Sequence, residues 1–398
     1  MTKHYVVGRT MQALDEIAPR RVTLSLHALC ALAVVFIVTP APATETKSRD
    51  KNLDWYIAIE AVSDSNVNLS DISPESDGRV TTYGGLTYIR DNDVNSIELG
   101  LKARNNTYFK TGDLDSNEIQ AYANARKATY NGKLDAIARF ADLTDSVSQD
   151  LLLTGQIRRT LGSGLVDWEA EWQKTNLRLN GSLERTVYPQ DIYGPVDNNV
   201  FSEGVSLGRQ LSPKMTLSFV YGHKNGDYDD ASRIDFNADS FGLGVRYGEE
   251  EKLALEANVS FTRVSPETGE AQDTATGSLK ATWDIESEKT RLMVGYARDI
   301  LPASTGSYSV NGMTSVSFTH SFNQDLSGEL AASYEVGDYQ NLTATTVTRF
   351  SLWGGVSMAF GARTLTYLKV KWMSREGDGG SGLDYDDTAI ILGLTYGF

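Results

Sequence analysis

The chain has 398 residues and is acidic, with 52 Asp+Glu against 37 Lys+Arg, a formal net charge of −15 and a mean hydropathy of −0.31. That balance leaves no basic footprint for nucleic acid, and a single cysteine, Cys30, excludes a disulfide framework. Beyond the amino-terminal region no stretch reaches the ~20 apolar residues of a spanning helix, so a membrane-embedded chain of this kind has to cross with strands.

Arg20 and Arg21 precede an apolar run from Val22 to Val38, and Thr39-Pro40-Ala41-Pro42-Ala43 follows it. A charged region, an apolar core and an Ala-x-Ala site read as a secretory signal cleaved after Ala43. The alternative is a membrane anchor, but a core of ~17 residues is at the short limit for spanning. The long stretch before Arg20 fits a start at Met11. His27-Ala28-Leu29, ahead of Cys30, does not resemble a lipoprotein box. Residues 1–43 hold Lys3, Arg9, Arg20 and Arg21 against Asp15 and Glu16, so their removal leaves 33 basic and 50 acidic residues, a charge of −17 and no cysteine. Residues 44–52 are expected to be a short periplasmic segment and 53–398 a single domain.

From Leu53 onward about eighteen segments alternate apolar and polar residues, each near the ~10-residue length of a membrane strand. Trp55/Ile57/Ile59/Ala61, Ile97/Leu99/Leu101/Ala103 and Leu253/Leu255/Ala257/Val259/Phe261 are clear cases. The opposite parity carries Glu98, Lys102 and Arg104 in one segment and Asp167, Glu169 and Glu171 in another. A soluble sandwich also alternates; the connections separate the two. Short turns, such as Asn131-Gly132, Gln173 to Asn176 and Gly361-Ala362, alternate with longer acidic stretches. The long ones include Asp64 to Asp77, Tyr108 to Ser116, Asp142 to Gly162, Pro189 to Asn198, Asn225 to Arg233 and Glu376 to Asp387. Short periplasmic turns alternating with long external loops is outer-membrane barrel topology. The stretch 142–162, with Leu151-Leu152-Leu153, is ambiguous: a folded-in loop, a short helix or another hairpin.

The chain closes on Ile390, Leu392, Leu394, Tyr396 and Phe398, a greasy face at period two. This resembles the last strand of outer-membrane barrels, which the barrel assembly machinery reads as an insertion signal. The expectation is an all-β, transmembrane antiparallel up-and-down β-barrel of about 18 strands (16–20), in the outer membrane of a Gram-negative bacterium. A barrel this wide leaves an aqueous channel unless loops block it.

Outward aromatics near strand ends (Trp55, Trp172, Tyr247, Trp283, Trp372 and Tyr396 among them) are expected at the membrane interfaces. On the lumen parity, Tyr56, Tyr122, Trp353 and Tyr367 are candidates for sugar stacking or for ordinary packing. The candidate lumen charges are Lys102, Arg104, Arg126, Asp167, Glu169, Glu171, Arg178, Glu184, Arg291, Arg349, Lys369 and Lys371. Either they neutralise one another across strands, or they divide into acidic and basic walls; the mixture predicts weak ion selectivity. Asp227/Asp229/Asp230 and Asp384/Asp386/Asp387 have oxygen ligands suited to divalent cations, but solvated loop charge explains them without a metal site. The histidines past residue 43, His223 and His320, sit on the lipid parity, so an enzyme is not expected, nor any cofactor or metal.

Several segments carry a closer resemblance. They are Ser63-Asp64-Ser65-Asn66-Val67-Asn68-Leu69, Trp172-Gln173-Lys174-Thr175-Asn176-Leu177, Ser182 to Tyr188, Asn199-Val200-Phe201 and Gly204 to Pro213. They resemble the β-barrel porin 2 family of outer-membrane proteins associated with exopolysaccharide production. The resemblance implies passage of exopolysaccharide or other hydrophilic solutes, with no catalytic residue to carry across. The alternatives are a general diffusion porin and a closed structural or adhesion barrel. Expected partners are outer-membrane lipid and lipopolysaccharide, the barrel assembly machinery, polysaccharide and periplasmic export proteins.

Overall fold

The computed structural model describes residues 53–70, 73–92, 94–145, 157–189, 197–249, 252–285, 289–303, 307–340, 345–378 and 384–397. The signal region, segment 44–52, residues 146–156 and Phe398 lie outside these. Among the described residues eighteen strands form. They are β1 (Leu53–Asp64), β2 (Asp77–Asp91), β3 (Asn95–Tyr108), β4 (Ser116–Thr129), β5 (Gly132–Asp145) and β6 (Ile157–Trp172). Next come β7 (Thr175–Val187), β8 (Asn198–Ser212), β9 (Met215–Tyr228), β10 (Phe236–Glu249), β11 (Leu253–Pro266) and β12 (Gln272–Ile285). The last six are β13 (Thr290–Ala303), β14 (Ser307–Ser321), β15 (Leu326–Tyr339), β16 (Thr345–Phe360), β17 (Thr364–Gly377) and β18 (Tyr385–Gly397).

Every strand pairs antiparallel with its sequence neighbours, and β1 also pairs with β18 from Tyr56↔Gly397 to Asp64↔Ala389. The sheet therefore closes. Closure satisfies the N–H and C=O groups that an open edge would leave bare, which hydrocarbon does not tolerate. The all-β up-and-down barrel of eighteen strands expected from the alternation is the fold observed.

Period two then sorts the side chains. Phe219 is 67% exposed, Val259 63% and Leu392 59%, all on the outside and in company with many further Leu, Ile, Val and Phe. A water-soluble surface does not carry so continuous an apolar band; a bilayer requires one. Trp55, Trp172, Tyr247, Trp283 and Tyr396 lie on the outer face close to the short-turn ends of their strands, where an amphipathic ring suits the headgroup layer. The molecule is an outer-membrane β-barrel.

Several strands run further than the alternation indicates. β5 continues to Asp145 and β6 starts at Ile157, so both flanks of the 142–162 connection are strand. β9 likewise runs to Tyr228, and β18 starts at Tyr385. These extensions rise above the apolar belt. There both faces carry polar side chains, and the period that marks a strand in sequence disappears.

Two external elements fold inward. The first is the segment after β1: Val67 and Leu69 are buried, Leu69 packing with Met373 of β17 and Tyr385 of β18. Ser65 N donates to Thr388 O at 3.0 Å, and Asn66 Nδ2 donates to Asp386 O at 2.9 Å and to Ser70 O at 3.0 Å. Met373 and Tyr385 share ladder parity with Tyr367 and Gly393, opposite to the outward Leu392 and Trp372. This segment therefore lies against the inner wall.

The second element is the top of the β13–β14 hairpin. The β12–β13 ladder ends at Gly277↔Arg298, while β12 continues with β11 to Val264↔Gln272 and β13 continues with β14 to Ala303↔Ser307. The hairpin thus parts from its neighbour and bends. Ile300, Tyr308 and Val310 form a buried cluster with Phe236, Ala238 and Val264, the Phe236 and Tyr308 rings lying 5.6 Å apart. Phe236, Ala238 and Val264 have the parity opposite to the outward Phe241 and Phe261, so the hairpin packs onto the inside of the β10–β11 wall. Gly277 permits the parting: a Cβ there would sit 2.4 Å from Asn258 O.

Candidate functional site

The interior wall is the candidate site, and its chemistry follows from residues that face one another across ladders. Arg178 Nε on β7 donates to Asp167 Oδ1 on β6 at 2.9 Å. Glu169 takes Lys133 at 3.3 Å and Arg246 at 3.5 Å. Arg126 meets Asp135 at 2.7 Å, Arg291 meets Asp284 at 2.6 Å, Lys369 meets Glu329 at 2.8 Å, and Arg349 bonds Glu335. Arg104 lies 3.8 Å from Glu118. Glu184 has Arg159 and Lys224 within electrostatic reach, and half-buried Lys371 has Asp387, Asp64, Arg349 and Arg79. Lys102 and Glu171 are exposed. These pairs place opposite charges side by side around the wall rather than on two opposed walls.

Aromatic side chains lie flat where the facing strand has glycine. Tyr56 faces Gly85, Tyr122 faces Gly100 and Tyr367 faces Gly393. A Cβ on those glycines would fall 2.4, 2.0 and 2.2 Å from the respective rings. Two of these hydroxyls are then held: Tyr122 donates to Glu98 at 2.7 Å, Tyr367 donates to Glu60, and the Tyr83 and Tyr367 hydroxyls are 2.8 Å apart. Beside them a recess of about 310 Å³ is lined by Tyr56, Glu60, Tyr83, Lys102, Arg104 and Glu118, among others. It offers two carboxylates, two cations and two tyrosines within one concavity. Lys369 Nζ lies over both Trp353 and Tyr367, at 5.6 and 5.2 Å from the ring centres.

The folded-in hairpin is tied across this interior. Lys224 Nζ on β9 donates to Asp299 Oδ2 at 2.6 Å and to Ile300 O at 2.8 Å. The buried Tyr228 hydroxyl accepts from Ala303 N at 2.8 Å and donates toward the Ser307 and Ala303 carbonyls. At the external rim, Asp77 accepts from Gly78 N, Lys110 N, Thr111 N and the Thr111 hydroxyl, at 2.6, 3.0, 2.9 and 2.8 Å. Burial alone would raise its pKa, but these bonds outweigh it and hold the carboxyl at about 2 against an ordinary 3.8.

The acidic clusters of the loops separate. Asp386 and Asp387 point to opposite faces of β18, Asp229 pairs with Arg185, and Asp230 lies 3.7 Å from Arg233. His223 bonds Asp239 at 2.8 Å on the outer face, and His320 bonds the Thr290 hydroxyl at 2.8 Å. Tyr83, Glu118, Lys133, Lys224 and Asp299 belong to the interior arrangement but were not among the sequence candidates. Tyr83 and Glu118 were recoverable from strand parity. Lys224 and Asp299, 75 residues apart, meet only through the inward fold.

No protein-family model matches the chain, and no characterised protein matches it in sequence. Solved structures with a similar architecture include the outer membrane protein OpdK of Pseudomonas aeruginosa, 9% identical over 87% of this chain and 99% of that one, with a TM-score of 0.48. OpdO of the same organism is 14% identical over 87% and 96%, with a TM-score of 0.46. OccAB3 of Acinetobacter baumannii is 11% identical over 88% and 100%, also at 0.46.

Proposed function

We propose that this barrel is a passive channel for hydrophilic solutes across the outer membrane. The observation that carries the reading is the closed eighteen-strand wall with a polar, charge-paired interior. A ring of that size has more interior than its own side chains fill. Here the space is narrowed locally by the segment after β1 and by the β13–β14 hairpin. Paired charges lower the cost of moving hydrated groups through hydrocarbon without committing the channel to one sign of ion. No step in this mechanism consumes energy; loops set the size limit.

A second reading is passage of a polysaccharide. The segments that resemble the β-barrel porin 2 family suggest it, and the recess with Tyr56 and Tyr83 beside two carboxylates offers the stacking surface and acceptors that sugars use. Conductance of the refolded protein in a planar bilayer, with and without the host's exopolysaccharide, decides. Steady current supports a channel, and interruption by the polymer supports the second reading. A silent, verified barrel would overturn both and leave a structural or adhesion role.

A further inference from the structure

The outer face is not uniformly bulky. A hollow of about 860 Å³ opens on the lipid side of β1 to β4, next to β18 and below the external ends of β5 and β6. It follows two adjacent ladder rows. One runs Tyr396, Ile57, Gly84, Ala103, Ile119 and Asp142. The other runs Leu394, Ile59, Thr82, Asn105 and Asn117; above the last β4–β5 pair, Ile119↔Asp142, Thr144 faces Arg158. Bulky isoleucine and leucine stand at the flanks, and Gly84, Ala103 and Thr82 make the floor.

The rows have a polar end and an apolar end. Tyr396 and Leu394 are near the short-turn end of β18, whereas Arg158 is the second residue of β6 beyond its external connection. From β18 to β6 there are six strand spacings; at ~4.8 Å each and a tilt of ~40° the groove is about 29 Å long and climbs about 18 Å. That climb is slightly more than one leaflet of a ~30 Å hydrocarbon core. At the upper end Arg158 bonds Asp142 through Nε and Nη2, at 3.1 and 2.8 Å, and remains exposed. Asn105 Nδ2 donates to Asn117 Oδ1 at 3.0 Å beside it. A floor of small side chains facing hydrocarbon suits an acyl chain, and the guanidinium and amides at the upper end suit an acceptor-rich group.

We propose that this groove binds one molecule of outer-leaflet lipid, an acyl chain lying along Gly84 and Ala103 and a phosphate at Arg158. The external position of the polar end selects the outer leaflet, where the phosphate-bearing lipid is lipid A. A second copy of the barrel would need no cation at that level. The inference depends on the barrel being in the outer membrane and not on what it conducts.

The test is native mass spectrometry of the refolded barrel in detergent with added lipid A. One lipid is expected to stay bound per barrel. Ala103→Leu with Thr82→Leu fills the floor and is expected to cut the bound fraction at least fivefold. Ala332→Leu, on the outer face of β15 away from the groove, is expected to leave it unchanged. Arg158→Gln, with the floor intact, is expected to weaken lipid A but not its dephosphorylated form, which also covers a double variant that does not fold. Heat-modifiable mobility reports folding in each. Equal retention by all folded variants would overturn the proposal, and so would a barrel dimer that the floor variants abolish while lipid A never binds.

Discussion

Tyr228→Phe is the most direct perturbation of the interior, because it removes one oxygen and keeps the ring. That oxygen accepts from Ala303 N and donates toward the carbonyls of Ser307 and Ala303 at the tip of the β13–β14 hairpin. Tyr228 is 8% exposed, so water does not replace the lost bonds. A buried donor or acceptor left without a partner costs about 1–3 kcal/mol, and each 1.4 kcal/mol is a factor of ten in an equilibrium. The population of the undocked tip should therefore rise by roughly five- to 150-fold, while the barrel wall is untouched. Hydrogen exchange at the Ala303 amide should accelerate by that factor, and single-channel records should show a wider state visited more often. Unchanged exchange at Ala303, in a variant with normal heat-modifiable mobility, would mean that the hydroxyl does not hold the hairpin and that the reasoning is wrong.

Gly100→Ala places a Cβ against the Tyr122 ring and should destabilise the barrel by about 1–3 kcal/mol in urea unfolding. Adding Tyr122→Ala should recover part of that loss, and a strictly additive double variant would refute the interlock. Gly277→Ala should cost a similar amount, since the Cβ meets backbone at Asn258 O and cannot be relieved by a rotamer change. Asp77 has a folded pKa below its unfolded value, so its stabilisation of the 109–115 turn is complete above pH 3.8 and fades as pH falls toward about 2. Pepsin cleavage beside the exposed Phe109 should rise over that window in wild type relative to Asp77→Asn, which should show no such pH step. Lys102→Glu reverses an exposed lumen charge. A unit charge ~7 Å from a permeating ion in water is worth about 0.6 kcal/mol, or about 0.25 kcal/mol after screening; reversal changes it by two units, with opposite sign for cation and anion, so the cation-to-anion permeability ratio should rise roughly fivefold. An unchanged zero-current potential would place Lys102 away from the ion path.

The architecture was readable because period two survives wherever one face meets lipid. In β3, Ile97, Leu99 and Leu101 declare the outside, and the interior follows as the complement. The strand number was readable for the same reason, aided by turns as short as Gln173-Lys174. Above the belt the rule lapses. Asn225 to Tyr228 is strand, yet polar residues on both sides hide it. The inward hairpin was not readable at all: Ile300, Tyr308 and Val310 alternate like any membrane strand, and only the broken β12–β13 ladder turns their outer face onto Phe236 and Val264. The tyrosine–glycine contacts are equally non-local, because each partner is ordinary in its own strand. Ser65 to Leu69 fell in a stretch expected to be an external connection, Asp64 to Asp77, and nothing in it marked a piece of wall lining.

The three flat tyrosines have a mechanical corollary. Tyr56 on Gly85, Tyr122 on Gly100 and Tyr367 on Gly393 act as keys in slots between adjacent strands. Sliding any of those strands by one repeat would drive a ring into a side chain. Since stagger and strand number together determine the radius of a closed sheet, the keys hold the stagger at three of its seams, β1–β2, β3–β4 and β17–β18. On the channel reading proposed above, a change in what the tube admits would come from the chain folded inside it.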